Sequence, residues 1–179
     1  NGNGKSTFAK LLCGKLEAMA GEMKAPARLT VGYFAQHQLD EVSPERTPYS
    51  YFAELMPDQP ESKRRAKLGA YGFGAQLADS RCETLSGGEK ARLLLAKLMA
   101  QPSNLLILDE PTNDLDVETL DLLQDIVGDF DGTVLLVSHD RDFIDRVATT
   151  TVALEGNAKA TVYPGGWSDY AAQRGTKEE

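Results

Sequence analysis

The chain has no apolar run approaching the roughly 18 residues that a membrane-spanning helix needs. It also lacks a secretory signal pattern, so a cytoplasmic protein is the expectation. Cysteine is nearly absent. Cys13 and Cys82 stand far apart, without metal-ligand spacing, and read as idle thiols in a reducing compartment. Basic residues are outnumbered, with Lys and Arg totalling 19 against 27 Asp and Glu, for a net charge of −8. That excludes a polyanion binder held by bulk charge, though not a local basic patch. There is no internal repeat and no low-complexity segment. What remains, 179 residues that are 41% hydrophobic and 26% charged, suits one α/β domain with a proper core.

The stretch around which the rest is organised is Leu85-Ser86-Gly87-Gly88-Glu89-Lys90. Ser86 followed three places later by Glu89 reads as a capping box, and Ala91, Leu94, Leu95, Leu98 and Met99 follow at helical spacing. The two glycines strip side chains from the first turn, so bare N–H groups at a positive dipole end can approach an anion. An ordinary capped helix after a glycine turn is the plainer alternative for this segment alone.

The opening residues Asn1, Gly2, Asn3, Gly4, Lys5, Ser6 and Thr7 match the tail of a phosphate loop, G-x-x-x-x-G-K-[ST]. Counting back from Gly4, the first glycine falls two residues before Asn1. The chain is therefore expected to be a fragment that begins inside its own motif and lacks the strand feeding it. Gly2 and Gly4 let backbone amides face phosphate oxygens. Lys5 would reach the β- and γ-phosphates, Ser6 would ligate Mg²⁺, and Thr7 would help hold the α-phosphate. Phe8, Leu11, Leu12 and Leu16 predict a helix behind the loop with that apolar face buried.

Residues 29–36 read as a strand ending at Gln36, and His37 as a loop residue. From 41 to 83, prolines at 44, 48, 57 and 60 punctuate short helical stretches, with Tyr49, Phe52, Leu55 and Met56 as an apolar stripe. Residues 62–65 are a small basic run on a solvated face, and Gly69, Gly72 and Gly74 mark a turn. Together with the helix after Ser86 this predicts a small helical subdomain over about 41–100. Residues 105–110, LLILDE, suit a strand buried on both faces of a parallel sheet. Asp109 at its end reads as the second-shell Mg²⁺ anchor of a phosphate-loop enzyme, and Glu110, pointing to the strand's other side, as acceptor of a proton from attacking water. Asp116 is expected to cap a helix carrying Leu120, Leu123 and Val127. Residues 133–137 read as another buried strand, ending at Ser138-His139-Asp140, where His139 can bond a γ-phosphate or orient water. A short helix follows at Phe143, then a closing hairpin over 150–155 and 160–163 with Asn157 in its turn, and a charged, frayed tail from Gly175.

In order, these segments resemble an ATP-binding cassette domain, an α/β P-loop NTPase with a helical subdomain spanning 1–179. LSGGE is similar to that family's signature, LLILDE to its Walker B strand, GYFAQ to its Q-loop and VSHD to its switch histidine. The resemblance covers residues 1 to about 143. It implies ATP and Mg²⁺ as cofactors, with Gln36 sensing the metal and the attacking water beside Ser6 and Asp109. It implies a second cassette as partner, whose ATP would meet Ser86, Gly87 and Gly88, and it places Asp116 in the turn at the dimer interface.

LSGGEKARLLLAKLM with EPTNDLD is similar to the ABC-F class of soluble two-cassette ATPases, and GYFAQHQLD to its second cassette. Asp114 departs from the His usual there, and the closing SHDRDFIDRVATTTVALEG and YPGGWSDY look like the Uup-type branch, while the front half looks closer to another. The resemblance implies ATP hydrolysis on the ribosome that regulates translation, with little activity from residues 1–179 alone. A transporter ATPase subunit is the alternative, disfavoured by the turn at Asn113. A DNA-repair or chromosome ATPase would carry a coiled-coil insertion between Gln36 and Ser86, which is not there. Direct DNA binding by this acidic segment is not expected.

Overall fold

A computed structural model describes residues 4–113, 115–154 and 159–175. Asn1, Gly2, Asn3, Asp114 and Asn157 lie outside the described residues, as does the side chain of Gln36. Three strands, β1 (Val31–Ala35), β2 (Leu105–Asp109) and β3 (Thr133–Val137), form a parallel sheet in the order β1-β2-β3. The helices are α1 (Lys5–Leu12), α2 (Pro48–Leu55), α3 (Glu61–Ala70), α4 (Ala75–Ala78), α5 (Gly87–Ala100), α6 (Val117–Asp129), α7 (Arg141–Val147) and α8 (Trp167–Gly175). An antiparallel hairpin, β4 (Thr150–Leu154) and β5 (Ala160–Pro164), lies between α7 and α8.

β2 is central, and its apolar run explains why: Leu106, Ile107 and Leu108 are fully buried. Strand alternation sends Ile107 to one face, where it packs with Ala9 of α1 and Val137. Leu106 and Leu108 go to the other face and join the larger core with Phe52, Leu68, Phe73, Leu93, Leu95 and Leu123. The helical stretch 48–78 therefore shares one contiguous core with the sheet rather than closing on itself. Arg64 donates to the carbonyls of Met56 and Pro57, and Arg65 pairs with Glu61 and Asp79. Half of the basic run on α3 thus ties helix ends together instead of facing only water. Gly69 lies within α3, and the turn begins after it.

Several expectations need correction. α1 ends at Leu12, so Leu16 is not on it. Its buried residue is Ala9, while Phe8 and Leu16 are exposed at 48% and 43%. Only a small side chain fits where the helix lies close on Ile107 and Val137. β1 is shorter than 29–36, because the backbone of Gln36 already opens a 3-10 turn, Gln36–Glu41, which also carries the exposed His37. α5 is buried on more than one stripe: Leu93 and Ala96 are buried too, and Leu94 and Met99 are half-buried. It is wedged between α2, β1 and α6, so residues off its main apolar stripe are covered as well. β3 is less buried than expected: Val137 is buried, Val134, Leu135 and Leu136 are half-buried against the two cores, and the strand forms an edge among the described strands. α8 was not foreseen. Asp145 of α7 receives the Ser168 amide at 2.8 Å and its hydroxyl at 2.6 Å, and Tyr170 packs edge-on against Tyr163 at 5.0 Å. Gly175 closes this helix, and the residues after it lie outside the described ones.

Phe52→Ala should lower stability by about 3–5 kcal/mol, the usual scale for emptying a large buried aromatic site. Because Phe52 shares its core with Leu106 and Leu108, urea unfolding followed by amide protection should show α2 and β2 lost together. Earlier, separate loss of α2–α4 would refute the shared core.

Candidate active site at the strand ends

In register, Ala35, Asp109 and Val137 form one row across the sheet. Gln36, Glu110 and Ser138 therefore leave the sheet along a single edge, the carboxyl edge of parallel strands where α/β proteins place ligands. α1 begins at this edge. Ser6 Oγ donates to Asp109 Oδ1 at 2.9 Å, joining residues 103 positions apart. Asp109 is buried at 7% exposure. Gly4 precedes the helix with φ +79°, a left-handed conformation that glycine adopts without Cβ strain, and no side chain caps the helix. No acidic residue occupies the first turn. The opening N–H groups have no in-helix acceptor, so Lys5, Ser6 and Thr7 sit on a helix start suited to an anion.

Glu110 does not continue β2. Its φ is +50°, the one positive value among described residues other than glycine, a strain of about 1–3 kcal/mol. The turn swings its side chain across to the end of β3 rather than to the far side of its own strand. The Glu110 amide donates to the Val137 carbonyl at 2.7 Å, and its Oε2 accepts the His139 amide at 3.2 Å. The imidazole Nε2 of His139 lies 3.2 Å from Oε1. Glu110 is 20% exposed and His139 56%, so the pair faces outward from the edge. Asp140 caps α7 through the Phe143 amide at 2.9 Å, fixing the loop that presents His139.

Ser86, Gly87, Gly88 and Asp116 form a second group. Ser86 and Glu89 make the reciprocal capping box, with Ser86 N donating to Glu89 Oε2 at 2.7 Å and Glu89 N to Ser86 Oγ at 3.2 Å. Ser86 and Gly87 are exposed. Asp116 caps α6 by accepting the Thr119 amide at 2.8 Å. A Cβ on Gly88 would collide with the Asp116 carboxylate, so the glycine permits the two turns to touch. Among the described residues Ser86 is thus tied to Glu89 and Gly88 lies against Asp116, a group separate from the Ser6–Asp109 and Glu110–His139 pairs.

Two residues at these groups escaped sequence reasoning. Arg92 of α5 lies between the turn at Gly72 and Glu118, with Nη1 3.5 Å from that carboxylate. A cation amid Ala91, Leu93 and Leu95 was the available signal. Tyr33 of β1 donates through its hydroxyl to Asp109 Oδ2 at 3.4 Å. Its phenol is pushed up to about 12 by burial first and then by the Asp109 charge, so it remains a donor at neutral pH. No spacing rule links Tyr33 to Asp109, because the contact exists only once the register of β1 on β2 is known.

A phosphate-loop tail and a strand-end Asp-Glu facing a histidine, with a capped glycine turn nearby, match one known group of proteins. The ABC transporter family model matches residues 1–113, and the chain belongs to the ATP-binding cassette family, whose members bind and hydrolyse ATP. The chain is also similar to two bacterial ATP-binding proteins. It is 46% identical over 178 residues to the ATP-binding protein Uup of Escherichia coli strain K12, covering 97% of this chain and 28% of that protein. It is 41% identical over 170 residues to the probable ATP-binding protein YheS of the same organism, covering 95% and 26%. The chain thus spans under a third of these relatives. A chain in a structure described as ribosome-bound archaeal Pelota and ABCE1 superposes with TM-score 0.74 at 27% identity, covering 98% of this chain and 30% of that one. Among the described residues no helix is long and apolar enough to cross a membrane.

Hydrogen bonding from Thr119 holds the Asp116 carboxyl below the usual carboxylate range, with Arg92 adding to the effect against slight burial. A lowered folded value means that the charged cap contributes fully above the ordinary pKa of about 4 and is lost as pH falls through the folded value. The Thr119 amide resonance should titrate with a midpoint below about 4, and Asp116→Asn should remove that step while keeping the cap, since Asn caps about as well as Asp. A midpoint at or above the ordinary value would contradict this.

Proposed function

We propose that the chain is the Mg²⁺-dependent ATP-hydrolysing part of an ABC-F ATPase that acts on the ribosome to regulate translation. The observation that carries the hydrolytic part is the meeting of two pairs, Ser6 with Asp109 and Glu110 with His139, at one sheet edge from three separate segments. The ribosomal part rests on likeness to Uup and YheS and to the chain in the ribosome-bound Pelota and ABCE1 structure. In this reading residues 1–179 are one cassette with a helical subdomain over about 41–100.

The Ser6 hydroxyl and the Asp109 carboxylate are hard oxygen donors within hydrogen-bond distance, a set that fits Mg²⁺ taken together with nucleotide phosphates. Held there, Mg²⁺ would neutralise charge on the phosphate oxygens. Asn1, Gly2, Asn3 and Gly4 supply loop amides, Lys5 places a point charge on the β- and γ-phosphates, and Thr7 holds the α-phosphate. Glu110 takes the proton of the water whose oxygen attacks the γ-phosphorus, as the bond to the β-bridging oxygen breaks and ADP leaves. His139, already on the Glu110 carboxylate, orients that group and bonds the γ-phosphate. Gln36 orients the water. Ser86, Gly87 and Gly88, with Asp116 behind them, serve the ATP of a second cassette, the Ser86 hydroxyl and the Gly87 and Gly88 amides being directed at its γ-phosphate.

In the full-length protein, Glu110→Gln should keep ATP binding and cut turnover by about 10² or more, the scale of general-base loss. It should also accumulate with ribosomes on co-sedimentation in ATP. Near-normal turnover would sink the catalytic assignment, and co-purification with membrane subunits instead of ribosomes would favour the transporter alternative. Residues 1–179 alone should hydrolyse ATP poorly, since Ser86 acts on a partner's nucleotide. Strong activity from that piece would refute the shared-site reading.

A further inference from the structure

Asp109 is held at both carboxylate oxygens, and only one of those contacts belongs to the phosphate loop. Ser6 Oγ takes Oδ1 at 2.9 Å, and Tyr33 Oη takes Oδ2 at 3.4 Å. The second contact follows from the sheet. Tyr33 pairs with Ile107 in the parallel register, so both side chains and that of Asp109, two residues on, project from the face that carries α1. The ring is itself fixed, with Lys15 Nζ 4.3 Å above its centroid.

An aspartate rotates broadly about its terminal torsion, and one hydrogen bond to Ser6 leaves that rotation soft. A second donor on the opposite oxygen fixes the carboxylate plane. Resting on the ATP–Mg²⁺ reading above, we propose that Tyr33 is a positioning residue that locks the Asp109 carboxylate in the orientation needed to anchor the metal. It touches neither nucleotide nor metal and acts only through Asp109. Partners that hydrogen-bond a ligating carboxylate orient it and raise its effectiveness. Phenylalanine would keep the ring and its Lys15 contact but leave Oδ2 without its donor.

The test uses the full-length protein and Mn²⁺ as a spectroscopic probe, read by electron paramagnetic resonance with a non-hydrolysable ATP analogue. Tyr33→Phe should weaken Mn²⁺ binding about tenfold, the lower end of effects from such partners, while metal-free binding of the analogue in EDTA stays within about twofold. The Mg²⁺ concentration for half-maximal turnover should rise by a similar factor, with kcat at saturating Mg²⁺ changed by no more than about twofold. A packing defect would instead lower kcat at every Mg²⁺ concentration, and that result overturns the proposal. Ser6→Ala, measured alongside, separates two failures. Weakened Mn²⁺ binding in Ser6→Ala with none in Tyr33→Phe overturns the role of Tyr33 alone. Unchanged binding in Ser6→Ala overturns the metal–nucleotide reading beneath it.

Discussion

The contact between Ser6 and Asp109 fixes more of this structure than any other. It joins the first helix to the end of the central strand across 103 positions of sequence, and it can form only if three conditions hold together. β2 must end at Asp109 on the face toward α1. The helix must start at the same edge, which the left-handed Gly4 makes possible. Ala9 must be small enough for the helix to lie on Ile107 and Val137. A side chain much larger than alanine at position 9 would lift the helix and carry Ser6 away from the carboxylate. Core packing and site geometry are therefore one constraint here, since the fully buried Ala9 sits three residues from the hydroxyl that reaches Asp109.

The same edge explains why a strained residue is retained. Glu110 follows Asp109 directly, and a continuing strand would send its side chain to the face opposite α1. The positive φ breaks the alternation and brings the carboxylate to His139 instead. The Val137 carbonyl, through the Glu110 amide, and the His139 amide, through Oε2, together hold the turn. Strain of about 1–3 kcal/mol persists only where neighbours over-determine it, and two backbone contacts, one from the last residue of β3 and one from the loop after it, do so. Two adjacent acidic residues thus receive different surroundings: Asp109 is buried between hydroxyls, and Glu110 is half-open beside an imidazole. That separation suits an anchor and a base.

The sequence made much of this legible because its motifs are local. The capping box at Ser86, the cap at Asp116, the apolar run of β2 and the polar strand ends are each set by residues within a few positions of one another, and each is observed. What escaped depends on distant partners. Ala9 rather than Phe8 or Leu16 meets the core because the sheet, not the helix period, chooses the buried face. Leu93 joins Leu95 inside because α5 is covered from several sides. The half-covered β3 reflects its edge position. Tyr33 depends on strand register, and α8 depends on Asp145 reaching Ser168 across 23 positions.

The second group completes the physical picture. The start of α5 carries a full capping box, yet Ser86 and Gly87 stay exposed, and Gly88 has no side chain so that Asp116 can lie against it. A helix start needed only for stability would bury that turn or fill it. Here two helix starts, those of α5 and α6, are pressed together, and Arg92 in the second turn of α5 reaches Glu118 in the first turn of α6. The Asp116 carboxylate, held by the Thr119 amide, lies directly against Gly88. α5 also packs on β1, the strand that carries Tyr33 and ends at Ala35, just before Gln36. An anion pulling on the bare start of α5 is therefore connected through packed elements to the strand that touches Asp109. Among the described residues the two polar groups are joined by a frame of packed elements rather than by a direct hydrogen bond. That frame is what two sites need if occupation of one is to be felt at the other.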